Sequence, residues 1–381
     1  MNRTIVSLDF YGKGISVVVA LFDTEQGSVR ITKLARFDSA YFQDGQVLDV
    51  GRAQDELTYI LEELSNEIGL NPKVIIGLRG PMLSFQRRTG FRTANARNCI
   101  IRDSDIQEAL SNAVPSVLPA STQVIDIWPQ SFVVEGKDGI QNPKGMPGIT
   151  LEAETFISYA DATYVADIKN VLHLCNLSNY RLLATAVPIA RQLPNISEKQ
   201  TRTLVLDIGD NSTEAMLYNK GLLIDGKSLA LGHNVLIKEF AKLLENDVQT
   251  AQDILNDYQE DEVTDELIED ATEIMLRRIH RELCESSLFY VQNPPTQLIL
   301  TGCGISQFTL DLAKPIFQVR KVRCALLETN AADEQTDLSQ FTGALALIYH
   351  TLQVEESVDE GSDSSKSETF FEKLLTKIGF N

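Results

Sequence analysis

Apolar runs punctuated by glycine set the rhythm of this chain. "TIVSLDF" reads as a strand, "YGKG" as a tight turn, and "ISVVVALF" as the strand returning from it. The plan recurs in "RTLVLDIGDNSTEAMLYNKG", where an apolar strand ends in Asp207, turns at Gly209 and runs into a second strand. Two such hairpins predict a duplicated architecture. Each presents an aspartate and backbone amides at a turn facing a shared cleft. Between them, "DVGRAQDELTYILEELSNEIGL" carries apolar residues at helical spacing, and "PKVIIGLRG" follows as a buried strand.

From Arg79 to about Ala160 the pattern changes. Short strands, the amphipathic "DSDIQEALSNAV", the strand "TQVIDIWPQSFVVEG" and the loop "DGIQNPKGMPG" predict a small inserted α/β subdomain. "DATYVADIKNVLHLCNL" then returns as a helix. Helical spacing dominates from about Val235 to Val291, interrupted by the acidic "NDYQEDEVTDE". "TQLILTGCGISQF" reads as a strand and glycine turn, and "FTGALALIYHTL" as a helix. The acidic, Ser-rich "QVEESVDEGSDSSKSE" cannot pack a core and reads as a solvated linker.

The expected division is a first-lobe core at 1–78, the insert at 79–160 and a first-lobe return at 161–200. A second lobe follows at 201–330, with a helical part at about 235–292. A closing helix at 331–352, a flexible acidic linker at 353–367 and an amphipathic helix at 368–381 complete the chain.

With 381 residues, 43% of them hydrophobic, the chain has material for two or three compact units. Its formal charge of −19 argues against a nucleic-acid surface, which needs clustered Lys and Arg. The cysteines at 99, 175, 284, 303 and 324 form no CxxC pair and read as reduced thiols. His173, His233, His280 and His350 lack metal-ligand spacing, so a zinc site is not expected. The start "MNRTIVSLDF" enters a strand directly, and no signal peptide is expected. "ISVVVALF" falls far short of the roughly 20 apolar residues that span a bilayer. The expected location is the cytoplasm.

A strand–Asp–turn–strand unit used twice, followed by a "TGCG" turn, suits a nucleotide. Glycine turns let backbone amides approach phosphates, and an aspartate at a strand end can hold Mg²⁺ through water. The order of "VSLDFYGKGISVVVALF", "LVLDIGDNSTEAMLY" and "LILTGCGISQF" resembles the actin, Hsp70 and sugar-kinase superfamily. "DIWPQSFVVEGKDGIQNPKGMPGITLEAE" resembles the inserted subdomain of the bacterial cell-division FtsA family, and it stands in the same place between the two phosphate motifs. "GLRGPMLSFQ", "LATAVPIARQL" and "LALGHNVL" are similar to FtsA segments too, so the resemblance covers essentially the whole chain.

That resemblance implies an α/β, actin-like two-lobed fold: duplicated β-hairpin, ribonuclease-H-like cores with an FtsA-type inserted subdomain. It implies ATP with Mg²⁺ between the lobes, polymerisation into filaments, and binding of the FtsZ C-terminal peptide and other divisome proteins. It also implies attachment to the inner face of the membrane. Carried over, Asp9, Gly12 and Lys13 lie in the first phosphate turn. Asp207, Gly209, Ser212 and Thr213 form the second, and Gly302 and Gly304 the adenosine-side turn. Asp9 and Asp207 are the water-mediated Mg²⁺ positions.

The chain departs from the family pattern at several points. Tyr11 stands where the family has a glycine. Asp210 and Asn211 replace glycines of the second motif, and Glu214 replaces its last aspartate. The ribose-contacting Glu and Lys fall near Gln252 and Leu255. An acid in a phosphate cradle repels the ligand unless a metal intervenes. The cradle therefore reads as degenerate, with weak ATPase activity at most.

In "SSKSETFFEKLLTKIGFN", taking about 100° per residue, Phe370, Leu374, Ile378, Phe371 and Leu375 fall within an arc of about 140°. Lys373 and Lys377 fall outside that arc, with Ser367 or Thr369 to cap the start and Gly379 to end it. Burying five such side chains at roughly 1.5–3 kcal/mol each stabilises docking, although the segment is too short to be helical alone. Its own body, a partner groove or a membrane interface could cover it. The acidic spacer argues against the first, and the lysines suit anionic headgroups. For the FtsZ peptide, "EIMLRRIHREL" offers Arg277, Arg278 and Arg281, which suit carboxylates; taken singly, each fits a solvated basic face as well.

The expected function is an actin-like polymerising scaffold tethering FtsZ filaments to the membrane. A PilM-like pilus-assembly scaffold of the same fold is the neighbouring alternative. A small-molecule kinase is a third, but no catalytic base can be assigned for it.

Overall fold

The computed structural model describes residues 2–43, 45–69, 72–93, 99–118, 121–257, 262–332 and 336–359. The first lobe opens with β1 (Asn2–Phe10), β2 (Gly14–Asp23) and β3 (Ser28–Asp38), an antiparallel meander. A two-residue pair, β4 (Phe42–Gln43) and β5 (Gln46–Val47), leads to α1 (Val50–Glu63) and α2 (Ser65–Ile68). Asp49 caps α1 by accepting from the Arg52 amide. The next strand, β6 (Lys73–Leu78), lies parallel to β1 and pairs Gly77 with Asp9.

The insert follows at once. Its strands are β7 (Leu83–Thr93), β8 (Thr122–Val134), β9 (Lys137–Ile140) and β10 (Thr150–Asp161), ordered β7-β10-β8-β9. α3 (Asp103–Ala113) lays Ile106, Ala109, Leu110 and Ala113 on Ala153, Ile157 and Tyr159, giving the insert a core of its own. Gly90 is tight against α3: a Cβ there would run into the Ala109 carbonyl. The chain returns through α4 (Ala162–Leu174), β11 (Tyr180–Ala184), α5 (Ala186–Gln192) and α6 (Ile196–Gln200).

The second lobe repeats the first. β12 (Thr203–Ile208), β13 (Thr213–Asn219) and β14 (Leu222–Leu229) form another meander. The helical part is α7 (His233–Leu243), α8 (Val248–Asn256), α9 (Glu262–Ser286) and α10 (Leu288–Gln292). β15 (Gln297–Gly302), α11 (Gln307–Ile316), β16 (Lys321–Cys324), a 3₁₀ turn at Leu338–Gln340 and α12 (Thr342–Asp359) complete it. The sheet orders are β3-β2-β1-β6-β11 and β14-β13-β12-β15-β16, the same plan twice with the same parallel and antiparallel neighbours.

The alternation of β1 decides what faces what. Val6, Leu8 and Phe10 enter a core beneath α1, α4 and α5, while Ile5 meets α12 on the other face. Ser7 and Asp9 share that second face, and the Ser7 hydroxyl donates to the Ala344 carbonyl at 2.7 Å. The first-lobe core also contains Val205, Met216, Leu223 and Ile299 of the second lobe, so apolar packing runs across the junction.

Two boundaries differ from expectation. The closing helix starts at Thr342 rather than near 331, and it runs through Asp359, into the stretch read as a flexible linker. Gln353, Glu355 and Glu356 are good helix formers, and helix propensity prevails there over acidic composition. The amphipathic segment at 368–381 lies outside the described residues. Among the described residues no helix is long and apolar enough to cross a membrane.

Candidate functional site

The two Asp-bearing strand ends meet at the junction of the lobes, where both aspartates are buried. Arg79, one residue past β6, lies between them at 4% exposure. Its Nε donates to Asp9 Oδ1 at 2.9 Å and its Nη2 to Asp9 Oδ2 at 2.9 Å, a two-pronged fork. Its Nη1 donates to Asp207 Oδ2 and lies 3.7 Å from Glu214 Oε2. Thr185 Oγ1 adds a bond to Asp9 Oδ1 at 3.0 Å.

Glu214 is the cross-strand partner of Asp207. Like charges directly opposite one another destabilise a sheet pair, and a buried pair needs a cation between its members. Arg79 is that cation. Burial opposes its charge, but Asp207 and Asp9 outweigh burial and hold its pKa well above the ordinary value. Burial, with Asp207 adding to it against the pull of Arg79, pushes the Glu214 carboxyl up to about 7. Burial also raises Asp207. Glu214 Oε1 accepts from the Gly80 amide at 3.0 Å, Ser212 Oγ at 3.2 Å and Ser228 Oγ at 3.1 Å.

Tyr11 closes the first turn over this ion cluster. Its ring centre lies 4.8 Å from the Arg79 guanidinium carbon, and its hydroxyl donates to Cys303 Sγ at 3.0 Å. Cys303 Sγ in turn donates to Asp210 Oδ1 at 3.1 Å. Burial raises the Tyr11 hydroxyl pKa, and burial followed by the Asp210 charge raises that of the Cys303 thiol.

The positions read from sequence divide clearly. Asp9, Gly12, Asp207, Gly209, Ser212, Thr213 and Gly302 all gather at the junction and are buried. Lys13 is exposed, and its carbonyl accepts from the Ser39 amide. Thr213 Oγ1 turns away to the Leu231 carbonyl at 2.7 Å. Gly304 packs against the His233 ring. Gln252 bonds to Asn256 along α8, and Leu255 packs into the second-lobe core. Arg277 pairs with Glu273 and Arg278 with Glu239 at 2.7 Å, while Arg281 is exposed on the same helix.

A magnesium nucleotide does not fit this junction as it is built. The sequence reading placed Asp9 and Asp207 toward a metal, but Arg79 engages both carboxylates. A Cβ on Gly12 would collide with the Asp210 carboxylate, so the second lobe's turn packs directly against the first turn and fills the space beside it with an acid. A Cβ on Gly343 would collide with Asp9 Oδ2 and Arg79 Nη2, so α12 seals the other side. Reasoning from sequence missed Arg79. A signal was available: one arginine ends an otherwise apolar buried strand, and two acids stand opposite each other in the second hairpin.

Residues 80–158 match the family model described as "SHS2 domain inserted in FTSA". The cell-division protein FtsA of Streptococcus pneumoniae is 20% identical over 401 residues, covering 97% of this chain and 86% of that protein. The insert is of the FtsA type, and the chain is similar to FtsA cell-division proteins over nearly its whole length. The FtsA protein of Enterococcus hirae is 26% identical over 219 residues, and there the match spans only 49% of the relative's length. A solved structure described as "PilM-PilN type IV pilus biogenesis complex" superposes with TM-score 0.59 at 16% identity, covering 92% of this chain and 97% of that one. The fold of this chain is actin-like, with the SHS2 insert seated where its sequence resemblance put it.

Proposed function

We propose that this chain is a polymerising scaffold that tethers FtsZ filaments to the inner face of the bacterial cell membrane during division. The observation that carries the reading is the FtsA-type insert at 80–158, matched by its family model and joined to an actin-like body. The amphipathic pattern at 368–381 supports the membrane part. Phe370, Phe371, Leu374, Leu375 and Ile378 supply the apolar face, and Lys373 and Lys377 meet anionic headgroups. With only two lysines, single-chain affinity is weak, and filament formation supplies avidity. On α9, Arg277, Arg278 and Arg281 offer the FtsZ peptide guanidinium groups, and its carboxylates would exchange with Glu273 and Glu239. Other divisome proteins complete the partners. ATP with Mg²⁺ has no role in this reading, since the junction does not fit it.

The test is liposome flotation of the full chain against a version ending at Asp359, which keeps α12 whole. Flotation of the full chain alone, enhanced by anionic lipid, is the expected result. If neither form floats at concentrations that polymerise, the membrane reading fails. The pilus-type scaffold, favoured by the superposition on the PilM-PilN complex, then takes its place.

A further inference from the structure

A bound metal–nucleotide joins two lobes through a cation meeting carboxylates on both sides, with backbone amides on the phosphates. In this chain the carboxylates of both lobes already meet a cation, and it is covalently part of the first lobe. We propose that Arg79 is a tethered substitute for the metal–nucleotide, holding the lobes closed so that the protein works with no nucleotide cycle.

The geometry carries this. The guanidinium is planar, and its fork engages Asp9 at both oxygens while the remaining nitrogen reaches Asp207 across the junction. The next residue ties the lobes a second time: the Gly80 amide donates to Glu214, and its carbonyl accepts from Ser228 Oγ at 2.7 Å. The insert adds a third tie. Gln130 Nε2 donates to the Leu223 carbonyl at 3.0 Å, and its Oε1 accepts from the Leu223 amide at 2.7 Å, as a neighbouring strand would. Opening the junction would strip counter-charges from buried acids and expose the apolar packing shared by both lobes.

The experiment uses the full chain. It is titrated with Mg·ATP and Mg·ADP to about 1 mM by calorimetry, with melting temperature and small-angle scattering recorded alongside. No heat, no melting shift and no change in radius of gyration are expected. In parallel, Arg79→Ala is expected to melt lower than the wild type. Millimolar guanidinium or Mg²⁺ should partly restore it while leaving the wild type unmoved.

Saturable binding of Mg·ATP to the wild type below about 1 mM overturns the proposal. So does an Arg79→Ala protein that melts like the wild type, or one that melts lower and ignores both cations, because Arg79 would then only fill space. If Arg79→Ala does not fold, the wild-type titration decides alone. The proposal stands apart from the tether reading: failed flotation leaves the closed junction intact, and ATP binding leaves the tether intact.

Discussion

The first and second turns share one strand plan and end as chemical opposites. Both begin with an aspartate at a strand end and both bend through glycine, yet the first lobe brings the cation and the second brings the surplus acid. Arg79 follows β6, the parallel neighbour of the first aspartate's strand, whereas Glu214 sits directly opposite Asp207 on β13. The space a symmetrical pair of turns would leave between them is filled by this asymmetry. Duplicated topology therefore fixes where the two turns meet; the side chains at a few positions decide whether anything else can enter.

Removing the cation should be the most damaging way to break that comparison. Arg79→Met keeps much of the volume but leaves Asp9, Asp207 and Glu214 buried without a counter-charge. Breaking such a pair from one side costs about 3–5 kcal/mol, read as a lowered urea midpoint. The symmetrical removal of charge from both sides would be far milder, since much of the cost is the uncompensated partner.

The second lobe's surplus acid gives a smaller, pH-dependent effect. A carboxyl whose folded pKa is raised binds its proton more tightly folded than unfolded. For Glu214, near 7 folded against about 4.5 unfolded, this group's contribution to stability grows as pH falls from about 7 toward 5 and is lost as pH rises through 7. Glu214→Gln keeps an acceptor for Gly80, Ser212 and Ser228 and removes the titration. The difference between variant and wild type should shift in the variant's favour above pH 7, on the order of 1 kcal/mol, in urea melts at pH 5.5, 7 and 8.5. A difference that does not change with pH would mean that Glu214 stays charged beside Arg79.

Much of this molecule was legible along the chain. The repeated "VSLDFYGKG" and "LVLDIGDNS" hairpins gave the two lobes, and the change of pattern at Arg79 located the insert. What stayed hidden was the pairing. "KVIIGLRG" shows that an arginine ends a buried strand but not that its partners lie at Asp9, Asp207 and Glu214, because long-range ion pairs leave no local periodicity. Tyr11 and Asp210 read as departures from a phosphate motif. Only the packed junction shows that they are its replacement contents, stacked on Arg79 and pressed against Gly12.

The smallest effect belongs to Tyr11, and it separates the two roles of that side chain. Tyr11→Phe retains the ring over Arg79 and removes the hydroxyl that donates to Cys303 Sγ. A net hydrogen bond of this kind contributes about 1 kcal/mol, so the urea midpoint should fall slightly. Mg·ATP should still not bind, because the guanidinium and the Asp210 carboxylate remain in place. A loss near that of Arg79→Met would instead mean that the Tyr11–Cys303–Asp210 chain, and not the ion cluster, holds the turns together. The cation would then be a passenger in a junction closed by that hydrogen-bond chain.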